Sequence, residues 1–164
     1  MKIEIKNIKL NLSFSEETIC FMADVYVDGK KVFYARNEGH GGSTDVSPYP
    51  NNSKKLEEVN NFLRTEDDIY CSPIERYVDD IIYAYADKKE REKADKRLAK
   101  EMLKGLIISK NNLQSYSIIH WKMPLADVFN CKGGAELVKE TIAKYTAEGY
   151  VVFNTNIPKE VLCS

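Results

Sequence analysis

Apolar and polar residues alternate from the start of the chain. Ile3 and Ile5 fall on one face, then Ile8, Leu10, Leu12 and Phe14 on the other. This change of phase near Lys6-Asn7 predicts a bulge in a long first strand, because one inserted residue swaps the faces of a period-two pattern. A second run places Ile19, Phe21, Ala23, Val25 and Val27 on one face. Asp28-Gly29 then predicts a two-residue hairpin turn, whose positions favour residues that accept positive φ, and Lys31 to Ala35 returns. The first 36 residues therefore predict a three-stranded antiparallel meander.

The period then becomes helical. Leu56, Val59 and Leu63 mark a helix over Ser53 to Leu63. A stronger start follows at Ser72-Pro73-Ile74-Glu75, where Ser72 can cap, Pro73 suits the first helical position and Glu75 completes a capping box. Ile74, Tyr77, Val78, Ile81, Ile82 and Tyr85 form one apolar stripe. It fades over Asp87 to Lys93 and returns at Ala94, Leu98 and Met102, leaving open whether residues 74–104 form one helix or two.

Leu106 to Ser109 and Gln114 to Met123 predict a second hairpin turning at Asn111-Asn112. Pro124 to Phe129 reads as a short helix, Gly134 to Ala147 as a helix closed by Gly149, and Tyr150 to Phe153 as a last short strand. The order β-β-β-α-α-β-β-α-β predicts an α+β fold: meander, central helices, second β-hairpin and C-terminal helix-strand. No internal repeat or low-complexity linker divides it, so residues 1–164 are expected to form a single domain.

Composition narrows the function only slightly. The 43% apolar and 30% charged fractions are those of a soluble globular protein. A net charge of −1 removes any argument from bulk positive charge. Met1 to Lys6 reads as a strand and not as a signal peptide, and no apolar run nears the roughly 20 residues that span a bilayer. Cys20, Cys71, Cys131 and Cys163 lie far apart without a Cys-x-x-Cys pair, which points to buried or free thiols and a cytoplasmic setting.

The densest chemistry lies in Arg36-Asn37-Glu38-Gly39-His40-Gly41-Gly42-Ser43-Thr44-Asp45. Three glycines in four positions free the backbone for positive φ and close approach. A P-loop would need a lysine after Gly42 and a helix directly behind it, but Ser43 follows and Pro48 and Pro50 intervene. The dinucleotide fingerprint and its βαβ unit are also missing. What remains is an anion nest of N–H groups and small hydroxyls. Arg36 would offset charge, Gly39, Gly41 and Gly42 would supply amides, Asn37, His40, Ser43 and Thr44 would direct hydrogen bonds, and Asp45 belongs to the same ligand-binding set.

The run Asn37 to Thr44 behind Gly29-Lys30-Lys31-Val32, with an acidic helix, a basic helix and a Leu106-Ile107-Ile108 strand after it, resembles a group of small uncharacterised bacterial and phage-encoded proteins. Those carry an Asn-[Asp/Glu]-Gly-x-Gly-Gly loop after a Gly-Lys-x-Val strand. A Cys-Asn pair often follows their glycines; Ser43-Thr44 stands there in this chain, which argues against a catalytic thiol. The resemblance implies that the loop matters and supplies no reaction. Its phage character implies a role such as sequestering or countering a host signalling nucleotide.

Other constellations rank lower. Lys132, in Cys131-Lys132-Gly133-Gly134, could add charge at a helix start that favours anions. Glu75, Asp79 and Asp80 could hold a metal only if they faced a cleft, and an amphipathic helix puts them on its solvated edge. Ser43 lacks the Gly-x-Ser-x-Gly elbow, and His120 alternates with Ile119 and Trp121 as a core or sheet-face residue would. Charge is segregated, with eight acids against two bases from Leu56 to Asp80 and nine bases against four acids from Lys88 to Lys110. Acids interspersed among Lys88 to Lys100 favour a solvated helix over a nucleic-acid surface.

The sequence thus predicts a non-enzymatic binder of a small anionic ligand, a nucleotide or phosphate, through the 36–45 loop. No cofactor, metal or membrane is expected, nucleic acid ranks low and a homodimer fits. The alternative is a protein-interaction module, inhibitor or adaptor, using the charged helices. A hydrolase or nuclease ranks last.

Overall fold

The computed structural model describes residues 1–65 and 72–162. They fall into two compact units, Met1–Glu90 and Arg91–Ser164. The α+β class expected from the periodicities holds, with helices central and C-terminal and every strand pair antiparallel.

The first unit is built on a sheet of order β1-β2-β3-β4: β1 (Ile3–Leu10), β2 (Phe21–Val27), β3 (Lys30–Asn37) and β4 (Asp45–Pro48). The meander thus extends by a fourth strand, paired through Phe33 with Pro48 and Arg36 with Asp45. The bulge lies where the phase changes, between Lys6 and Lys9, with Asn7 at φ 54°. Asp28 and Gly29 both take positive φ, 48° and 80°, as a turn matching the sheet's twist demands.

One sheet face buries Phe21, Ala23, Val25 and Val27 from β2 and Phe33 and Ala35 from β3. Helix α1 (Ser53–Leu63) adds Val59 to this core, and α2 (Pro73–Met102) adds Ile74, Val78 and Ile82. The N-terminus of α2 is fixed as its capping sequence predicts: the Glu75 N–H donates to Ser72 Oγ at 3.4 Å. The Asn60 side chain of α1 also accepts the Ile74 N–H at 3.0 Å, which ties the two helices together. Residues 73–102 form one continuous helix. Its buried line runs Ile74, Val78, Ile82, Ala86, while Tyr77, Ile81 and Tyr85 stand partly exposed beside it.

The second unit centres on a sheet of order β6-β5-β7, formed by β5 (Gly105–Ser109), β6 (Ser117–His120) and β7 (Val151–Val152). Helices α3 (Leu125–Asn130), α4 (Gly134–Ala147) and α5 (Lys159–Leu162) complete it. Leu106, Leu125, Val128, Val138, Ile157 and Val161 form its core. The buried Asn154 accepts the Ile107 N–H at 2.6 Å and donates to the Met102 and Gly105 carbonyls at 3.3 and 3.0 Å. That amide joins the end of α2 to the start of β5, where helix and strand hydrogen bonding give out.

Candidate functional site

The 36–45 loop leaves β3 and enters β4, so a rigid sheet holds both ends. Asn37, the last residue of β3, organises it. Its buried Oδ1 accepts the Thr18 hydroxyl at 2.8 Å and the Gly39 N–H at 2.9 Å. Its Nδ2 donates to the Gly42 carbonyl at 2.9 Å and to Thr44 Oγ1 at 3.3 Å. One amide thereby uses all four of its hydrogen-bonding positions to define the loop's path.

Gly39, at φ 92°, is where backbone crosses backbone. A Cβ there would lie 2.2 Å from the Phe14 carbonyl oxygen, and the Gly39 carbonyl accepts the N–H groups of Glu16, Glu17 and Thr18. Gly41, at φ 86°, donates its N–H to Thr18 Oγ1 at 3.3 Å. Gly42 keeps φ out of the positive region and has open space where a Cβ would stand. Two of the three loop glycines therefore answer a conformational demand. These contacts bring Phe14 and Glu16 to Thr18 onto the loop, although the sequence pattern links them in no visible way.

Thr44, almost fully buried, donates its hydroxyl to Asp79 Oδ1 at 2.5 Å, which ties the loop to α2. Burial raises the pKa of the Asp79 carboxyl; the Thr44 hydrogen bond opposes that shift, and the neighbouring Glu75 and Asp80 charges reinforce it. Asp79, expected on the helix's solvated edge, is half-buried and makes a loop-positioning contact.

On the solvent side the loop lines a hollow of about 370 Å³, bounded by Arg36, Asn37, Glu38, His40, Gly42, Ser43 and Asp45. Arg36 Nε stands 3.2 Å from Asp45 Oδ2 across the rim, and this hydrogen bond raises the guanidinium pKa further. His40 Nδ1 lies 3.1 Å from Glu16 Oε2, with both side chains exposed. Among the described residues, the N–H groups of His40, Gly42 and Ser43 have no hydrogen-bond partner in the chain. The residues that line the hollow thus combine unbonded backbone amides, the Ser43 hydroxyl and one guanidinium with the carboxylates of Glu38 and Asp45.

The remaining candidates are placed as follows. Lys132 is exposed in the second unit and lines a cleft of about 280 Å³ with Trp121, Met123, Cys131 and Leu137. Gly133 takes φ 77° before α4, and a Cβ on Gly134 would meet the Val128 carbonyl at 1.7 Å, so both residues shape that helix entry. His120 is exposed on β6. Cys20 and Cys131 are free thiols; Cys71 and Cys163 lie outside the described residues. Among the described residues no three His, Cys, Asp or Glu side chains gather closely enough to hold a metal, and no helix is long and apolar enough to cross a membrane.

The solvent face of the first sheet holds a second feature, absent from the sequence reading. A groove of about 610 Å³ is lined by Asn7, Lys9, Met22, Asp24, Lys31, Tyr34 and Tyr49, with Ile8 and Ala23. Asp24 Oδ1 accepts Lys31 Nζ and the Tyr49 hydroxyl, both at 2.9 Å, and Oδ2 accepts Asn7 Nδ2 at 2.7 Å. Burial would raise the pKa of this carboxyl, but the three donors outweigh burial and lower it, so Asp24 is held ionised. Lys31 Nζ also sits 4.7 Å from the centre of the Tyr49 ring. The positive φ of Asn7 is thereby explained: the bulge aims its amide at Asp24.

No protein-family model, curated protein or solved structure matches this chain.

Proposed function

We propose that the protein is a binding module whose 36–45 loop captures the anionic group of a small ligand. The observation that carries this reading is the Arg36 guanidinium, standing at the rim of a hollow lined by His40, Gly42 and Ser43, whose backbone N–H groups make no hydrogen bond among the described residues. Backbone amides and a guanidinium are the donors that hold carboxylate and phosphate oxygens best. The loop is built before the ligand arrives, because Asn37 and Gly39 fix its path, so little ordering entropy opposes binding.

The carboxylates set the limits. Asp45 holds Arg36 in an exposed ion pair, and such pairs contribute only about 0–1 kcal/mol, so an incoming anion can take the guanidinium over cheaply. Glu38 and Asp45 disfavour a densely charged ligand such as a triphosphate and favour one with one or two negative charges. Sequestering a small nucleotide, the role implied by the phage resemblance, fits such a site.

The test is thermal stability at low salt against a titration of inorganic phosphate. A saturable ligand raises stability by about 2.7 kcal/mol at a hundred times its dissociation constant. Saturable stabilisation is expected in the native chain, lost in Arg36→Ala and strengthened in Asp45→Asn, which frees the guanidinium. No saturable effect, or one that Arg36→Ala leaves intact, refutes the reading.

A further inference from the structure

The hollow and the groove share a strand. Arg36, at the rim of the hollow, lies two residues beyond Tyr34 of the groove, so both side chains leave β3 on the same face. The register extends this across the sheet: Lys9 pairs with Met22, Met22 with Arg36, and Arg36 with Asp45, giving one transverse row. In the next row Asp24 pairs with Tyr34 and Tyr34 with Ser47. A solvent-facing sheet surface is ordinarily covered by unconnected polar side chains. Here it carries a hydrogen-bonded hub with two tyrosines and a half-exposed methionine around it.

We infer that the groove and the hollow form a single composite site for a flat heteroaromatic ring carrying one phosphate-like group, the chemistry of a nucleoside monophosphate. The inference rests on the anion-binding reading of the loop and adds where the rest of the ligand goes. Adjacent strands lie about 4.8 Å apart, so Lys9 and Arg36 flank Met22 with their backbones about 10 Å from each other. Two long cationic side chains converging across that gap can hold one phosphate between them. Lys9 has no ion pair among the described residues, and Arg36 needs only to exchange Asp45 for the ligand.

The ring-binding end follows from the next row. Two residues along a strand cover about 6.7 Å, comparable to the separation of base and phosphate in a nucleoside monophosphate. At that distance Tyr34, with Tyr49 also lining the groove, offers the flat, polarisable surface on which heteroaromatic rings stack. Asp24 does not repel the ligand's charge, because Lys31 neutralises it and all three donors are already in place. The groove's volume also lies in the range usual for small-molecule sites.

The experiment is calorimetric titration of the full chain at low salt with inorganic phosphate, adenosine and adenosine monophosphate, repeated with Tyr34→Ala, Lys9→Ala and Arg36→Ala. Adenosine monophosphate should bind at least tenfold more tightly than phosphate. Tyr34→Ala should erase that advantage while leaving phosphate affinity within twofold. Lys9→Ala and Arg36→Ala should weaken both anions. As a readout independent of any variant's folding, the Tyr34 ring resonances of the native chain should shift with adenosine monophosphate and stay in place with phosphate. Equal affinity for the two anions, or unmoved Tyr34 ring resonances, overturns the composite site and leaves the loop reading standing. Binding of neither anion overturns both.

Discussion

Replacing Gly39 with Ala tests whether the loop is as rigidly specified as its contacts imply. At φ 92° an L-residue is strained wherever it stands, and the left-handed region costs roughly 1–2 kcal/mol. The new Cβ would also stand 2.2 Å from the Phe14 carbonyl oxygen and 3.0 Å from Cys20 Cβ. Neither obstacle is a free side-chain tip. The Phe14 carbonyl belongs to a backbone turn, and displacing it pulls the Gly39 carbonyl away from the N–H groups of Glu16, Glu17 and Thr18. A lost backbone hydrogen bond costs about 0.5–1.5 kcal/mol, so strain plus one or two such losses gives about 2–4 kcal/mol. Gly41→Ala meets only the movable Glu17 carboxylate and should cost about 1–2 kcal/mol, the strain alone. Gly42→Ala has ordinary φ and open space, so it should be neutral or gain about 0.4–1 kcal/mol from a stiffer unfolded chain. Urea unfolding measures all three, read as midpoint shifts at constant slope. If Gly42→Ala proves as costly as Gly39→Ala, the account of the loop is wrong.

Other expectations follow from the same contacts. Ile82→Ala, at a fully buried position facing the first sheet, should cost about 2–5 kcal/mol in equilibrium unfolding, whereas the partly exposed Ile81 should cost clearly less; the reverse order would mean that α2 is rotated. Asp79→Asn keeps an oxygen for Thr44 and removes a charge that burial disfavours. Because the folded carboxyl holds its proton to higher pH than the unfolded one, Asp79 subtracts stability at neutral pH, and the deficit closes on acidification through the range where it protonates. Asp79→Asn should therefore melt at or above the native temperature at pH 7, with the gap shrinking toward pH 4; a variant that melts lower at pH 7 refutes this sign. Asn154→Ala orphans the Ile107 N–H and two carbonyls, so a loss of about 2 kcal/mol or more is expected, and a change under half a kcal/mol would show that water replaces the amide.

Periodicity made the strands of the first sheet legible, and the phase change at Lys6-Asn7 even located the bulge. Strand β4 escaped because its four residues, Asp45 to Pro48, carry a single inward apolar side chain, Val46. On α2 the large residues of the stripe drew attention to Tyr77 and Ile81, while the small Ala86 completes the buried line. The loop's composition announced that something happens there. What happens depends on Thr18, Glu16, Glu17 and Asp79, which lie roughly twenty to forty positions away and reach the loop only through folding. The groove was invisible for a related reason. Met22, Asp24 and Tyr34 are the outward half of an alternation whose inward half carries the folding signal, and nothing in that pattern reveals Asp24 as a hub.

The bulge at Asn7 has a further consequence, for what the molecule does at high concentration. Strand β1 is the edge of its sheet, eight residues long, and an edge of that length offers its unpaired backbone groups to any strand of a second molecule. Lys2, Glu4 and Lys6 line it, and because Glu4 pairs with both lysines only one net positive charge is left, so repulsion alone would guard it poorly. The guard is geometric. By breaking the register between Lys6 and Lys9, the bulge leaves no straight run of that edge longer than a few residues for a second copy to zip onto. The residue that steadies Asp24 on one side of the strand thereby denies a template for fibril growth on the other.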